Sequence, residues 1–132
     1  MTSTTQALAD RLREAFEAED PALLGPLLDP EVRWGGPEET EQTCRSRSDV
    51  LAWYGQAQAA GISAQVTETI VLDAAVVLAL AMSGPALGPN RRRPDVVFQV
   101  FHLVDGLVVD IRGFQRRGQA VAFADKPLRA EG

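Results

Sequence analysis

The chain has one cysteine, one histidine, few aromatic residues (6%) and no apolar run longer than Ala74 to Met82. A solitary Cys44 excludes an internal disulfide and gives no sign of an oxidising compartment. With neither Cys44 nor His102 joined to a second ligand at helical spacing, no metal site is supported and no cofactor is expected. The apolar run is too short to cross a bilayer, and MTSTTQALADRLREAF has no basic stretch leading into an unbroken apolar one. A cytoplasmic protein without a membrane partner is therefore expected. Basic charge is also scarce: 13 Lys and Arg against 18 Asp and Glu leave a net charge of -5. Phosphate binding needs clustered cations, so no nucleic-acid partner is expected. The one basic cluster, Arg91-Arg92-Arg93, sits between Gly88-Pro89-Asn90 and Pro94 and reads as a solvated loop tip. The glycines are scattered through turns, with no P-loop or dinucleotide fingerprint.

What is present suits an ordinary globular core: 132 residues, 45% hydrophobic and 23% charged. That length predicts one domain over residues 1–132, with 126–132 too poor in apolar residues to pack and expected to fray. Ser3-Thr4-Thr5-Gln6 matches a capping box, and Leu8, Leu12, Ala15 and Phe16 share one helical face, predicting a helix from Thr4 to Ala18. Asp20-Pro21 restarts the chain into a short helix through Leu28 that Pro30 stops. Val32 to Trp34 reads as a short strand before an acidic loop, Gly35 to Glu41. Ser46 or Ser48 can cap a third helix carrying Val50, Leu51, Trp53, Tyr54 and Ala57, closed by Gly61. Beyond Gly61 the period changes to two, and four strands follow. Helices first and an antiparallel meander afterwards define the α+β class, with helices covering one face of a curved sheet.

The segment FQVFHLVDGLVVDIRGF fixes a hairpin, because Asp105-Gly106 suits a type I′ turn. Strict alternation about that turn pairs Val104 with Leu107, His102 with Val109 and Val100 with Ile111. One face then carries Phe98, Val100, His102, Val104, Val109 and Ile111. The other carries Gln99, Phe101, Leu103, Val108, Asp110 and Arg112, together with Phe114.

The helix, helix, strand, helix, four-strand order resembles the NTF2-like superfamily, in particular its SnoaL-like branch. HLVDGLVVDIRGFQRRGQAVAF is similar to that family's terminal hairpin, with Arg112-Gly113-Phe114 as its closing triplet. LREAFEAEDPALLGPLLDPEVRW resembles its opening. The resemblance implies a conical antiparallel sheet whose concave face, closed by three N-terminal helices, makes a cavity. The fold hosts many activities, so it does not by itself choose one. Epoxide hydrolases and several cyclases of this fold place an aspartate in the middle of the closing triplet, where this chain has Gly113. The epoxide hydrolases also use an Arg-x-Asp on the strand matching Val77 to Met82, which is wholly apolar here.

On this reading His102, Val109, Ile111 and Gly113 point into the cavity. His102 is then either a satisfied core histidine or an acid/base group, kept neutral by burial. Glu68, between Val66 and Ile70, is a second candidate whose pKa burial would raise; the alternative is an edge-facing carboxylate. Phe16, Trp34, Trp53 and Phe98 suit an aromatic wall, with Val100, Val109 and Ile111 beside it and Tyr54 supplying a hydroxyl, although aromatics at helical spacing also serve as plain core. Cys44 reads as an incidental thiol. Two functions are carried forward. One is a cofactor-independent lyase, isomerase or cyclase moving a proton on a hydrophobic small molecule through His102, Tyr54 and Glu68. The other is a non-catalytic small-molecule-binding or dimerisation module, with Phe101, Leu103, Val108 and Phe114 forming an outer homodimer surface.

Overall fold

Leu8, Leu12, Ala15 and Phe16 recur on one helical stripe, and in the computed structural model all four are buried along helix α1, Thr4–Ala18. The structure describes residues 4–18, 20–35, 46–83 and 95–125. Ser3 of the capping box, the acidic loop beyond Gly35, Cys44, the arginine cluster and the C-terminal tail lie outside them. After α1 the chain turns at Asp20, whose carboxylate accepts the Ala22 N–H at 2.9 Å and whose carbonyl accepts that of Leu23 at 3.0 Å. This starts the single turn α2, Pro21–Leu24, which tightens into a 3₁₀ turn over Gly25–Leu27.

Strand β1 is longer than the sequence predicts, Leu28–Gly35, and it contains Pro30. Pro30 is tolerated because β1 lies at the edge of the sheet, and Asp29 folds its carboxylate onto the Glu31 N–H at 2.9 Å. Helix α3, Arg47–Ala59, is capped by Ser46, whose hydroxyl accepts the Asp49 N–H at 3.1 Å. It ends where Gly61 adopts φ 82° and the Ile62 N–H reaches back to Ala57 O at 3.0 Å. Strands β2 (Ser63–Val71), β3 (Ala75–Ser83), β4 (Asp95–Val104) and β5 (Leu107–Phe114) follow, and then helix α4, Arg117–Asp125. The sheet order is β1-β5-β4-β3-β2. Its pairs are antiparallel except β1 with β5, which run parallel.

The hairpin turn is as predicted: Asp105 and Gly106 have φ of 52° and 81°, and Val104 pairs with Leu107. The register beyond it is not. Val109 bulges, so that Leu103 pairs with Val108 but His102 pairs with Asp110, Phe101 with Ile111 and Val100 with Arg112. A second bulge at Thr67 lets Val66 pair with Leu80 but Glu68 with Ala79. Each extra residue reverses the alternation on its own strand and sharpens the local twist.

The consequence is a corrected inside and outside. Phe101, Leu103, Val108 and Ile111 face α1–α3 with Val76, Leu78 and Leu80. Val100 and Phe114 face the other way, with Ala75 and Val77, and are covered by Ala120 and Ala124 of α4. Three of the residues expected to form an outer homodimer surface are thus core beneath the N-terminal helices, and the fourth, Phe114, is covered by α4. Alternation failed here because both sheet faces are covered, so both carry apolar residues and hydrophobicity alone does not mark the inner one.

Candidate functional site

The helix-covered face of the sheet holds a cleft of about 60 Å³. The end of α1 contributes Ala15 and Phe16, the turn into α2 adds Asp20 and Leu24, and α3 supplies Trp53, Tyr54, Ala57 and Gln58. Ile62 and Ala64, Leu80 and Met82, and Gln99 of β4 complete the wall. These residues converge because the buried stripe of α1 and Val50, Leu51 and Tyr54 of α3 pack on the same side of the sheet, where Phe16 meets Tyr54. Polar groups are few. At the sheet, Tyr54 Oη donates to Gln99 Oε1 at 2.9 Å, an uncharged pair whose glutamine is 4% exposed. Nearer solvent stands Asp20, exposed, with one carboxylate oxygen engaged by the Ala22 N–H. The described lining contains no Lys, Arg or His.

The aromatic walls are set at right angles. Tyr54 meets Phe16 at 5.5 Å between ring centroids with planes 78° apart, and meets Trp53 at 5.3 Å and 84°. Trp34 packs on Trp53 at 4.2 Å and 36°, behind the lining. Of the residues singled out from sequence, Phe16, Trp53 and Tyr54 come together at the cleft, with Trp34 supporting them. Ile111 lies in the core on the same side but does not line the cleft.

His102, Phe98 and Val100 lie on the opposite face. The His102 ring is 3% exposed and meets Phe123 of α4 edge-on at 5.1 Å, with Asp110 across from it in register. Asp110 in turn accepts Arg112 Nε at 3.1 and 3.3 Å. Val109 is the bulged residue. The sheet therefore separates the imidazole from the cleft.

Glu68 is likewise turned onto the α4 side, where Arg117 Nε and Nη2 donate to its carboxylate at 3.0 Å each. Those hydrogen bonds outweigh desolvation and hold its carboxyl below the ordinary 4.5, the reverse of the rise expected from burial. A lowered carboxyl pKa adds stability above the unfolded value and loses it as the pH falls through the folded one. Glu68→Gln and the parent protein are therefore expected to differ slightly in thermal midpoint near neutrality, because the pair is exposed, and to converge as the pH is taken down from 4.5. Thermal melts across that range check it.

Three polar members of the site, Asp20, Gln58 and Gln99, are not among the residues the sequence singles out. Gln99 was assigned to the outer face, although a glutamine between Phe98 and Val100 in a central strand is itself a signal, since a buried amide needs a partner. Asp20 was recognised only as a helix cap. Gly113, where the family resemblance implies an acid, pairs directly with Gln99. Among the described residues a Cβ there would meet Gly35 O at 3.8 Å and Val97 Cγ1 at 3.9 Å, both ordinary van der Waals contacts.

The model of the SnoaL-like domain matches residues 9–111. The chain belongs to that family. Solved structures similar to this SnoaL-like domain include a protein named as a ketosteroid isomerase from Kribbella flavida (20% identity, TM-score 0.70, 98% of this chain and 85% of that one). A protein named as a polyketide cyclase from Sinorhizobium meliloti is similar at 17% identity and TM-score 0.66, over 82% of this chain and 94% of that one. An epoxide hydrolase of the LEH-like type from M. tuberculosis matches at 17% identity and TM-score 0.64, covering 92% and 89%. At these identities the likeness speaks for the fold. No curated protein matches the sequence. Among the described residues of this SnoaL-like domain there is no group of side chains able to hold a metal ion, and no helix is long and apolar enough to cross a membrane.

Proposed function

We propose that this SnoaL-like domain binds a small, mainly hydrocarbon molecule carrying one hydroxyl or carbonyl, whose oxygen-bearing end enters the cleft between α1, α3 and the sheet. One observation carries the reading: a hydrogen-bonded, uncharged Tyr54–Gln99 pair stands at the sheet end of a mainly apolar, aromatic-walled hollow, with Asp20 and Gln58 as its other polar lining residues. Between them the phenol and the carboxamide own donors and acceptors for a single oxygen function, while Phe16 and Trp53 supply the hydrophobic contact. The binding reading is preferred to proton transfer through His102, because that ring lies across the sheet from the cleft. It is also preferred to a copy of the epoxide-hydrolase mechanism, since the strand Ala75–Ser83 carries no charged residue and Gly113 no carboxylate.

The test is binding of benzyl alcohol, followed by tryptophan fluorescence, with ethylbenzene as its hydrocarbon counterpart. The double variant Tyr54→Phe/Gln99→Leu replaces both members of the pair by apolar groups of similar size, the kind of paired replacement that is close to neutral for folding. It is expected to bind benzyl alcohol about fivefold to tenfold more weakly, the scale of one net hydrogen bond, and ethylbenzene no more weakly than before. No benzyl alcohol binding to the parent protein, or an unchanged affinity in the variant, overturns the proposal.

A further inference from the structure

The charge and ring geometry of the cleft go beyond a generic hydrophobic pocket. Three rings, Phe16, Tyr54 and Trp53, stand with successive planes 78° and 84° apart, so the lining is a corner of aromatic surfaces and not a flat slot. Ring faces carry negative quadrupole potential and attract cations. Asp20, exposed at the mouth, is the one carboxylate of the described lining, in which no cationic side chain opposes it. Helix α1 delivers Ala15 and Phe16 to the cleft from its last turn, and α3 delivers Ala57 and Gln58 from its own. Neither last turn contains a basic residue that would repel a cation at the opening. Rings and carboxylate favour positive charge at one place.

The geometry points to an organic cation, specifically a fully alkylated ammonium, as the ligand group held between the aromatic rings and Asp20. The inference rests on the cleft being a small-molecule site and adds the charge of what it takes. Full alkylation follows from the walls: they are mostly aromatic and aliphatic, while the single carboxylate of the described lining already spends one oxygen on the Ala22 N–H, leaving little to accept the several N–H bonds of a primary ammonium. The Tyr54–Gln99 pair and Asp20 then divide the work, the pair meeting an oxygen at the sheet and Asp20 meeting the cation at the mouth.

Choline and 3,3-dimethylbutan-1-ol test this, because they share the hydroxyl and shape and differ in replacing nitrogen by carbon. Ethanolamine adds the unmethylated ammonium. Titrations followed by tryptophan fluorescence are expected to give choline about tenfold tighter binding than the neutral alcohol, the scale of a partly desolvated cation–π contact with a carboxylate beside it. Asp20→Asn keeps a competent helix cap and is expected to weaken choline about fivefold while leaving the neutral alcohol unchanged. Trp53→Leu should weaken choline more than the alcohol. Equal or tighter binding of the alcohol, no choline binding, or insensitivity of choline to Asp20→Asn overturns the cationic ligand, and ethanolamine binding more tightly than choline overturns its full alkylation. Benzyl alcohol binding, measured on the same protein, reports separately whether the cleft is a small-molecule site, so the two ideas fail independently.

Discussion

Phe101→Ala is expected to cost about 3–5 kcal/mol of folding stability, the usual range for truncating a buried phenylalanine. Phe101 is fully buried, the largest such side chain in the described core, and stands on central strand β4 with Val76 on one side and Ile111 on the other. Truncation removes apolar burial and opens a space that a β-strand held on both sides cannot close. Small domains have only about 5–15 kcal/mol in total, so the variant should unfold at a markedly lower urea concentration. The effect should also reach the cleft. Phe101 meets Phe16 edge-on at 6.0 Å, and Phe16 is a wall of the site. In buffer without denaturant, benzyl alcohol affinity is therefore expected to fall along with stability. A loss of stability with unchanged affinity would show that Phe16 is held by α1 alone.

Local signals carried most of the fold. The stripe of Leu8, Leu12, Ala15 and Phe16, the Ser46 cap, the Gly61 terminus and the Asp105-Gly106 turn are each decided within a few residues, and each stands where the sequence places it. The family resemblance supplied the curved sheet and its helix-covered side. What failed was non-local. A bulge is one extra residue whose partner lies on another strand, and neither Thr67 nor Val109 differs in type from a regularly paired residue. Because the bulge at Val109 follows the turn so closely, every strand position beyond it was assigned to the wrong side relative to its neighbour. The exchange of Gln99 for His102 in the cleft has a different cause: the two faces of β4 are grouped as the sequence predicts, but the inner one is the face that carries Gln99. Helix α4 compounded the error: with Ala120, Phe123 and Ala124 covering the second face, an apolar environment around His102 no longer implied a pocket. Tyr54, Phe16 and Trp53 survived because helical periodicity is not affected by a slip in the sheet.

His102→Ala separates these two faces most sharply. Had the imidazole been a proton carrier in the cleft, its loss would leave the fold intact and abolish chemistry. Its observed position predicts the opposite pattern. The ring is 3% exposed, packed edge-on against Phe123, and shares its row of the sheet with Ala75 and Asp110, so truncation leaves a void beneath α4 and strips a neighbour from a buried carboxylate. Asp110 keeps Arg112 at 3.1 Å, which limits the penalty. A loss of about 2–3 kcal/mol is expected, combining removed packing with the disturbed polar row. Binding in the cleft should stay within about twofold, since β4 presents Gln99 to that side and His102 to the other, and a side-chain change on one face reaches the opposite face only through the backbone. Urea unfolding and a benzyl alcohol titration on the same variant measure both quantities. Normal stability with lost binding would return the imidazole to the site. The adjacent substitutions therefore diverge: Phe101→Ala should lower stability and affinity together, and His102→Ala stability alone.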